Sequence, residues 1–135
     1  MLSLYEEDAS RVWLRAQRGY AETIHSYPLG DGLIAHALRD ERAIAILAGA
    51  ASDPRCIALG VTAEATIVAP FTTARVRGAL VLESLQPLER SIVDSAIDAM
   101  RAIEHAIAAM PASELERPTG ARWLSRSFLR LASTR

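Results

Sequence analysis

The sequence predicts an α+β domain, and three observations carry that prediction. Short alternating runs flank a polar cluster near the start, two longer strand-like runs meet around Ala74, and residues 87–110 have the spacing of one long amphipathic helix. The chain has 135 residues, 50% of them hydrophobic, and a formal net charge of −1. One domain is expected at this length, burying about 65–70% of the surface of its unfolded chain. A single cysteine excludes an internal disulfide, and seven aromatics make the core aliphatic. Lysine and asparagine are absent and all 15 basic residues are arginine, a composition that fits a GC-rich genome.

Leu2 to Tyr5 alternates and reads as a strand, closed by the polar cluster 6–10. Residues 12–16 follow with Val12, Leu14 and Ala16 on one face and Trp13 and Arg15 on the other, so the two runs form a hairpin. Gly19 is the turn residue after it. Residues 22–27 form a third short strand ended by Pro28, and Asp31 within Gly30-Asp-Gly32 is placed to cap a helix over 33–42. Residues 43–47 read as a buried strand. Asp53-Pro54 can start a helical turn that Gly60 stops. The strands 66–73 and 75–83 come next, with Pro70 a caution about which edge is paired. Pro87 suits the first turn of the long helix, since its missing N–H costs nothing there. Residues 111–120 are a linker by composition, and 121–134 a short basic helix with Leu124, Phe128 and Leu131 on one face.

Charge is uneven along the chain. Residues 111–135 carry five arginines against two glutamates, a net of +3, which leaves −4 on the rest. The longest nearly uncharged stretch, 43–52, is about half the roughly 20 residues that a membrane helix needs. The acidic start lacks the positive n-region of a secretory signal, so a cytoplasmic location is expected.

The side chains that could carry chemistry are few. His25, His36 and His105 sit in separate elements, without metal-site spacing, and read as structural or surface residues. Cys56 follows Arg55, which could lower its pKa, but no base stands beside it; a small buried hydrophobe is the plainer reading. The 6–8 acidic triplet reads as a solvated hairpin tip, and Asp94 and Asp98 as an outward helix face. Nucleophile elbows, phosphate-binding glycine loops and zinc-protease helices are missing, so no enzyme and no cofactor is expected.

Several strings in order resemble the GAF family of small-molecule sensor domains. Residues 2–8 with 11–19 look like its opening hairpin, and Pro28-Leu-Gly-Asp-Gly-Leu-Ile-Ala35 is similar to its P-L-G-x-G-L segment. Asp53-Pro-Arg55, Thr66-Ile-Val-Ala-Pro-Phe71 and Arg77-Gly-Ala-Leu-Val-Leu82 resemble its D-P-R, V-P-L and G-x-L-x-L segments. The resemblance covers residues 2–110. It implies a central antiparallel sheet of about five or six strands packed with helices, and a ligand pocket between the sheet and residues 48–64. Trp13 and Arg15, Asp53, Arg55, Cys56 and Ile57, and Thr66, Val68 and Phe71 are the lining candidates it implies, although strict alternation cannot place them all on one face. The chain departs from the family in three ways. It starts at the first strand instead of a long helix, and it lacks the asparagine and lysine of the cyclic-nucleotide motif. Its lone cysteine also precludes an internal dithiol cycle.

The resulting expectation is a non-catalytic sensor domain that binds a small molecule and acts through a homodimer. The alternative is an interaction module that has lost its ligand, with a protein partner at the final helices. The broad apolar stripe of the long helix supplies the expected interface through Ile92, Val93, Ala96, Met100, Ile103 and Ile107. The tail helix, through Leu124, Phe128 and Leu131, is expected to fold back into the place of the missing first helix, on its own subunit or a dimer mate. Its row of three arginines is too small a patch for a membrane or nucleic-acid partner to be expected.

Overall fold

The computed structural model describes residues 1–21, 24–56 and 62–111. Its opening hairpin pairs β1 (Leu2–Asp8) with β2 (Arg11–Arg18) and carries a bulge that the alternation did not anticipate. Leu4 faces Ala16 but Tyr5 faces Leu14, so Arg15 is the extra residue. The slip moves Ala16 onto the same face as Leu4, away from Val12 and Leu14. Asp8 pairs with Arg11 across a two-residue turn in which both Ala9 and Ser10 have positive φ, 51° and 62°. Neither is glycine or asparagine, so the tight turn holds about 1–2 kcal/mol of strain per residue.

β3 is shorter than expected, Ser26–Pro28, and pairs with Arg11, Val12 and Trp13 of β2. α1 spans Leu33–Asp40 and closes on Glu41, whose left-handed conformation at φ 54° ends it before Arg42. β4, Ile44–Ile46, is a half-buried edge strand and not the buried strand expected from its composition. A 3₁₀ turn at Ala50–Ser52 precedes Asp53, so the turn lies ahead of Pro54 and does not begin there.

β5 (Ala65–Thr72) and β6 (Arg77–Ser84) form the expected hairpin, closed by Thr73, whose N–H donates to the carbonyl of Val76 at 2.8 Å. The six strands make one antiparallel sheet in the order β3-β2-β1-β6-β5-β4. Pro70 is tolerated because the β4 ladder stops at Val68, which leaves that side of β5 open beyond it.

α2 (Ser91–Ala108) starts four residues later than Pro87 would allow. The Leu88 N–H donates to the carbonyl of Leu47 at 2.9 Å, which ties residue 88 to the chain after β4.

Helices cover both faces of the sheet. Against α2, Leu4, Ala69, Phe71, Val76 and Leu80 pack with Ile103, Ile107 and Met110. Ile107 is wholly buried, and burial of one such side chain is worth roughly 1.5–3 kcal/mol. Ile103 and Ile107, with Ala96 at 9% exposure, therefore belong to the chain's own core and are not free for a second copy; Ile92, Val93 and Met100 are only half-buried. On the other face, Tyr5, Val12, Val68, Ala79 and Val81 pack with Leu33, Ile34, Ala37 and Leu38 of α1. Arg77 anchors that helix by donating to the carbonyl of Leu38 at 3.2 Å. The tail helix with Leu124, Phe128 and Leu131, and Ile57, lie outside the described residues.

Candidate functional site

On the α1 face, alternation along β5 and β6 aims Thr66, Val68, Val81 and Glu83 at a concavity. Tyr27, Leu29 and Gly32 of the β3–α1 connection, the first turn of α1 through Leu33 and Ile34, and Cys56 complete its wall. Its innermost space is about 20 Å³, within a concavity of about 370 Å³ that includes the open mouth. About 10–15 Å³ suffices for one water, so a single small polar head fits inside and anything larger lies in the mouth.

The loop that brings Cys56 to this wall is held by its own polar groups. Asp53 accepts the Arg55 N–H at 2.8 Å and pairs with the Arg55 guanidinium through two further bonds of 3.1 and 2.8 Å. Hydrogen bonds from Arg55 hold the Asp53 carboxyl down at about 2. The Arg55 carbonyl in turn accepts the N–H of Leu33 at 2.8 Å, docking the loop on the start of α1. Burial pushes the Cys56 thiol up, and the charge of Asp53 adds to the shift.

The most unusual wall residue is Glu83. It is 4% exposed, stands opposite Thr66, and its carboxylate accepts a hydrogen bond from the Tyr20 hydroxyl. Burial raises its pKa, and the bond from Tyr20 offsets part of the rise. The α-amine of Met1 donates to the main-chain carbonyl of Glu83 at 3.0 Å, not to its carboxylate. Three phenols surround the group. Burial pushes Tyr5 up to about 12 and raises Tyr20 and Tyr27 further, with the charge of Glu83 contributing to each. Tyr5 and Tyr27 meet edge to face at 5.8 Å. Ser3 lies close enough to Tyr5 and Tyr20 to favour their ionised forms. Ser3 Oγ and Tyr5 Oη are nevertheless buried without a hydrogen-bond partner of ordinary geometry.

Three of the sequence candidates, Cys56, Thr66 and Val68, meet in this wall, while Asp53 and Arg55 fix the loop beside it. The other described candidates do not belong to it. Phe71 is 1% exposed in the core under α2, one residue out of phase with the wall positions on β5. Trp13 and Arg15 lie on that same opposite face. Arg15 pairs there with Glu6 at 2.9 Å, and the guanidinium groups of Arg11 and Arg15 each stand 5.9 Å from the Trp13 ring. Sequence reasoning missed Tyr27, Val81, Glu83 and the supporting Tyr20. The usable signal was Glu83 itself, a charge in phase with Ala79 and Val81 on the buried face of β6.

Among the described residues, no group of three or more His, Cys, Asp or Glu is placed to hold a metal ion, and no helix is long and apolar enough to cross a membrane.

This sheet, with its order, its two helix-covered faces and its concavity under α1, is a GAF-like fold. No protein-family model matches the sequence, and no curated protein does. Solved structures do match. Free methionine-R-sulfoxide reductase from Neisseria meningitidis, in complex with its substrate, superposes with a TM-score of 0.67 at 17% identity, over 77% of this chain and 64% of that one. The chain thus spans less than two-thirds of that enzyme. The GAF domain of an Acinetobacter phosphoenolpyruvate-protein phosphotransferase gives 0.59 at 21% identity, over 80% and 69%. The GAF domain of a two-component sensor histidine kinase from Bacillus halodurans gives 0.58 at 16%, over 84% and 82%. At these identities the likeness is one of fold, shared by a reductase and by the GAF domains of a phosphotransferase and a sensor kinase.

Proposed function

We propose that this GAF-like domain is a regulatory module that binds a small molecule in the concavity between the sheet and α1. The observation that carries the reading is Glu83, a nearly fully buried carboxylate in the wall of a space large enough for a polar head. Buried charges are costly and seldom placed in a cavity wall for stability alone. Support for a binding role over a chemical one comes from Cys56. Burial raises its thiol, the wrong direction for a nucleophile at neutral pH, and among the described residues no histidine or carboxylate is hydrogen-bonded to it.

A methyl- and amide-resolved NMR screen against chemically diverse metabolites tests the site. Saturable shifts confined to Thr66, Val68 and Val81 are expected, and a screen in which no compound moves them refutes it. Ile92 and Val93, half-buried at the two edges of the core stripe of α2, are the part of the expected interface still open to a homodimer through which occupancy could be signalled. Light scattering that shows a monomer at high micromolar concentration would remove that part of the reading.

A further inference from the structure

Resting on that ligand-site reading, we propose that the ligand presents a primary ammonium without a neighbouring carboxylate, its head held by Glu83 and its short apolar chain lying in the mouth. The charge of the wall is one-signed. Glu83 is the one charged residue among the described lining residues. The guanidinium of Arg55, on the loop beside the wall, is engaged by both carboxylate oxygens of Asp53. The Met1 α-ammonium, held by the Glu83 main-chain carbonyl, lowers the carboxyl's pKa but is not part of the described lining. An anionic head in the concavity would therefore meet a like charge with no positive side chain in the described wall.

The capacity to accept hydrogen bonds is also unfilled. A carboxylate offers about four acceptor sites, and among the described residues the Tyr20 hydroxyl fills one. Thr66 pairs with Glu83 across the ladder, Tyr27 lies in the wall, and the hydroxyls of Ser3 and Tyr5 are buried nearby without a hydrogen bond of ordinary geometry. An ammonium donates three N–H bonds and accepts none, which matches the acceptor-only carboxylate and hydroxyls that can turn their lone pairs to it. Tyrosine rings are the apolar surface that also favours a cation.

Size points the same way. The innermost space of about 20 Å³ suits a head close to a water molecule in volume better than a guanidinium or an aromatic ring. Leu29, Leu33, Ile34, Val68 and Val81 make the rest of the wall apolar. A zwitterionic amino acid would have to place its carboxylate against that wall, where none of the described lining residues carries a positive charge.

Three isosteric probes decide the matter: n-butylammonium chloride, n-butanol and sodium butyrate, titrated into the full chain at pH 7.5 while the Thr66, Val68 and Val81 resonances are followed. Butylammonium is expected to bind at least about tenfold more tightly than butanol, and butyrate not to bind, the range expected of a charge-assisted hydrogen bond. Glu83→Gln is expected to erase the preference for butylammonium over butanol while the chain remains folded. If Glu83→Gln does not fold, the probe series on the unaltered chain still decides. Equal binding of butylammonium and butanol, tighter binding of butyrate, or a preference that survives Glu83→Gln overturns the proposal. Metabolites that bind at these residues while butylammonium does not would defeat the ammonium head but leave the ligand site standing. Silence from every compound would defeat both.

Discussion

Gly78→Ala should be among the most damaging single-methyl changes in this chain. Gly78 sits in β6 between Glu6 of β1 and Phe71 of β5, so it has a strand on either side. A Cβ added there would fall deep inside contact distance of the Tyr5 carbonyl oxygen, and 2.6 and 3.0 Å from two ring carbons of Phe71. The ring can turn, but the carbonyl is main chain and part of the ladder. Restoring an ordinary C···O separation of about 3.3 Å requires β1 and β6 to part by about 1 Å, along a pairing that runs from Leu2 to Glu7. Overpacking costs about 1–3 kcal/mol where side chains can yield, so about 3 kcal/mol or more is expected where backbone must. That is a large share of the roughly 5–15 kcal/mol total of a domain. Urea melts of the two chains give the number directly, provided the m-value is unchanged. The double variant with Phe71→Ala should be destabilised by less than the sum of the single changes, because losing the ring relieves only part of the clash. A Gly78→Ala chain that loses less than about 1 kcal/mol would refute the close approach of β1 and β6 on which this reasoning rests.

Three further outcomes follow from the structure. Replacing Ala9-Ser10 by Asn-Gly relieves two positive-φ residues in the tight turn, and urea melts should show a gain of about 1–2 kcal/mol; a loss would mean the turn is not of this type. Cys56 should be alkylated by iodoacetamide at pH 7.5 more slowly than a free cysteine, because burial raises its thiol, and a faster rate would count against its place in the wall. The Glu83 pKa is raised in the folded chain, so its stabilising share is complete below the unfolded value near 4.5 and is lost as pH rises through the folded value. Glu83→Gln should therefore gain stability relative to the unaltered chain between pH 4 and pH 8, and urea melts showing the reverse sign would contradict its burial.

Local chemistry made most of the fold legible. Two long strands of alternating and apolar residues around a four-residue turn can hardly be anything else, and β5 and β6 formed within two residues of their expected limits. The errors have tertiary causes. Ile44–Ile46 looks buried by composition, yet whether a short apolar strand is central or at an edge depends on sheet order, which composition does not encode. α2 begins four residues past Pro87, after Leu88 has tied the chain to Leu47, and such a long-range main-chain bond leaves no trace in side-chain periodicity. The bulge at Arg15 is the clearest case. One extra residue reverses the faces of everything after it, so Ala16 joined the α2 side while the pattern Val12, Leu14, Ala16 still read as one stripe.

The site was legible only where a string of residues also fixed a loop. Asp53-Pro-Arg55 is such a string: its side chains bond to each other and to the turn they sit in, so reading it located Cys56 in the wall. Phe71 failed for want of a phase, since residues 66 and 68 fixed which positions on β5 face α1 and 71 is odd to both. The same parity argument, applied to β6, would have found the residue that matters. Ala79, Val81 and Glu83 share a face that packs on α1, and a carboxylate in the third position of a buried stripe is a departure from pattern that packing alone does not explain. Its hydrogen-bond donor, Tyr20, comes from the chain just beyond β2, 63 residues away in sequence. A pair so distant cannot be read from spacing, but half of it can: a charge on the wrong face predicts that some distant group, or a ligand, must come to meet it.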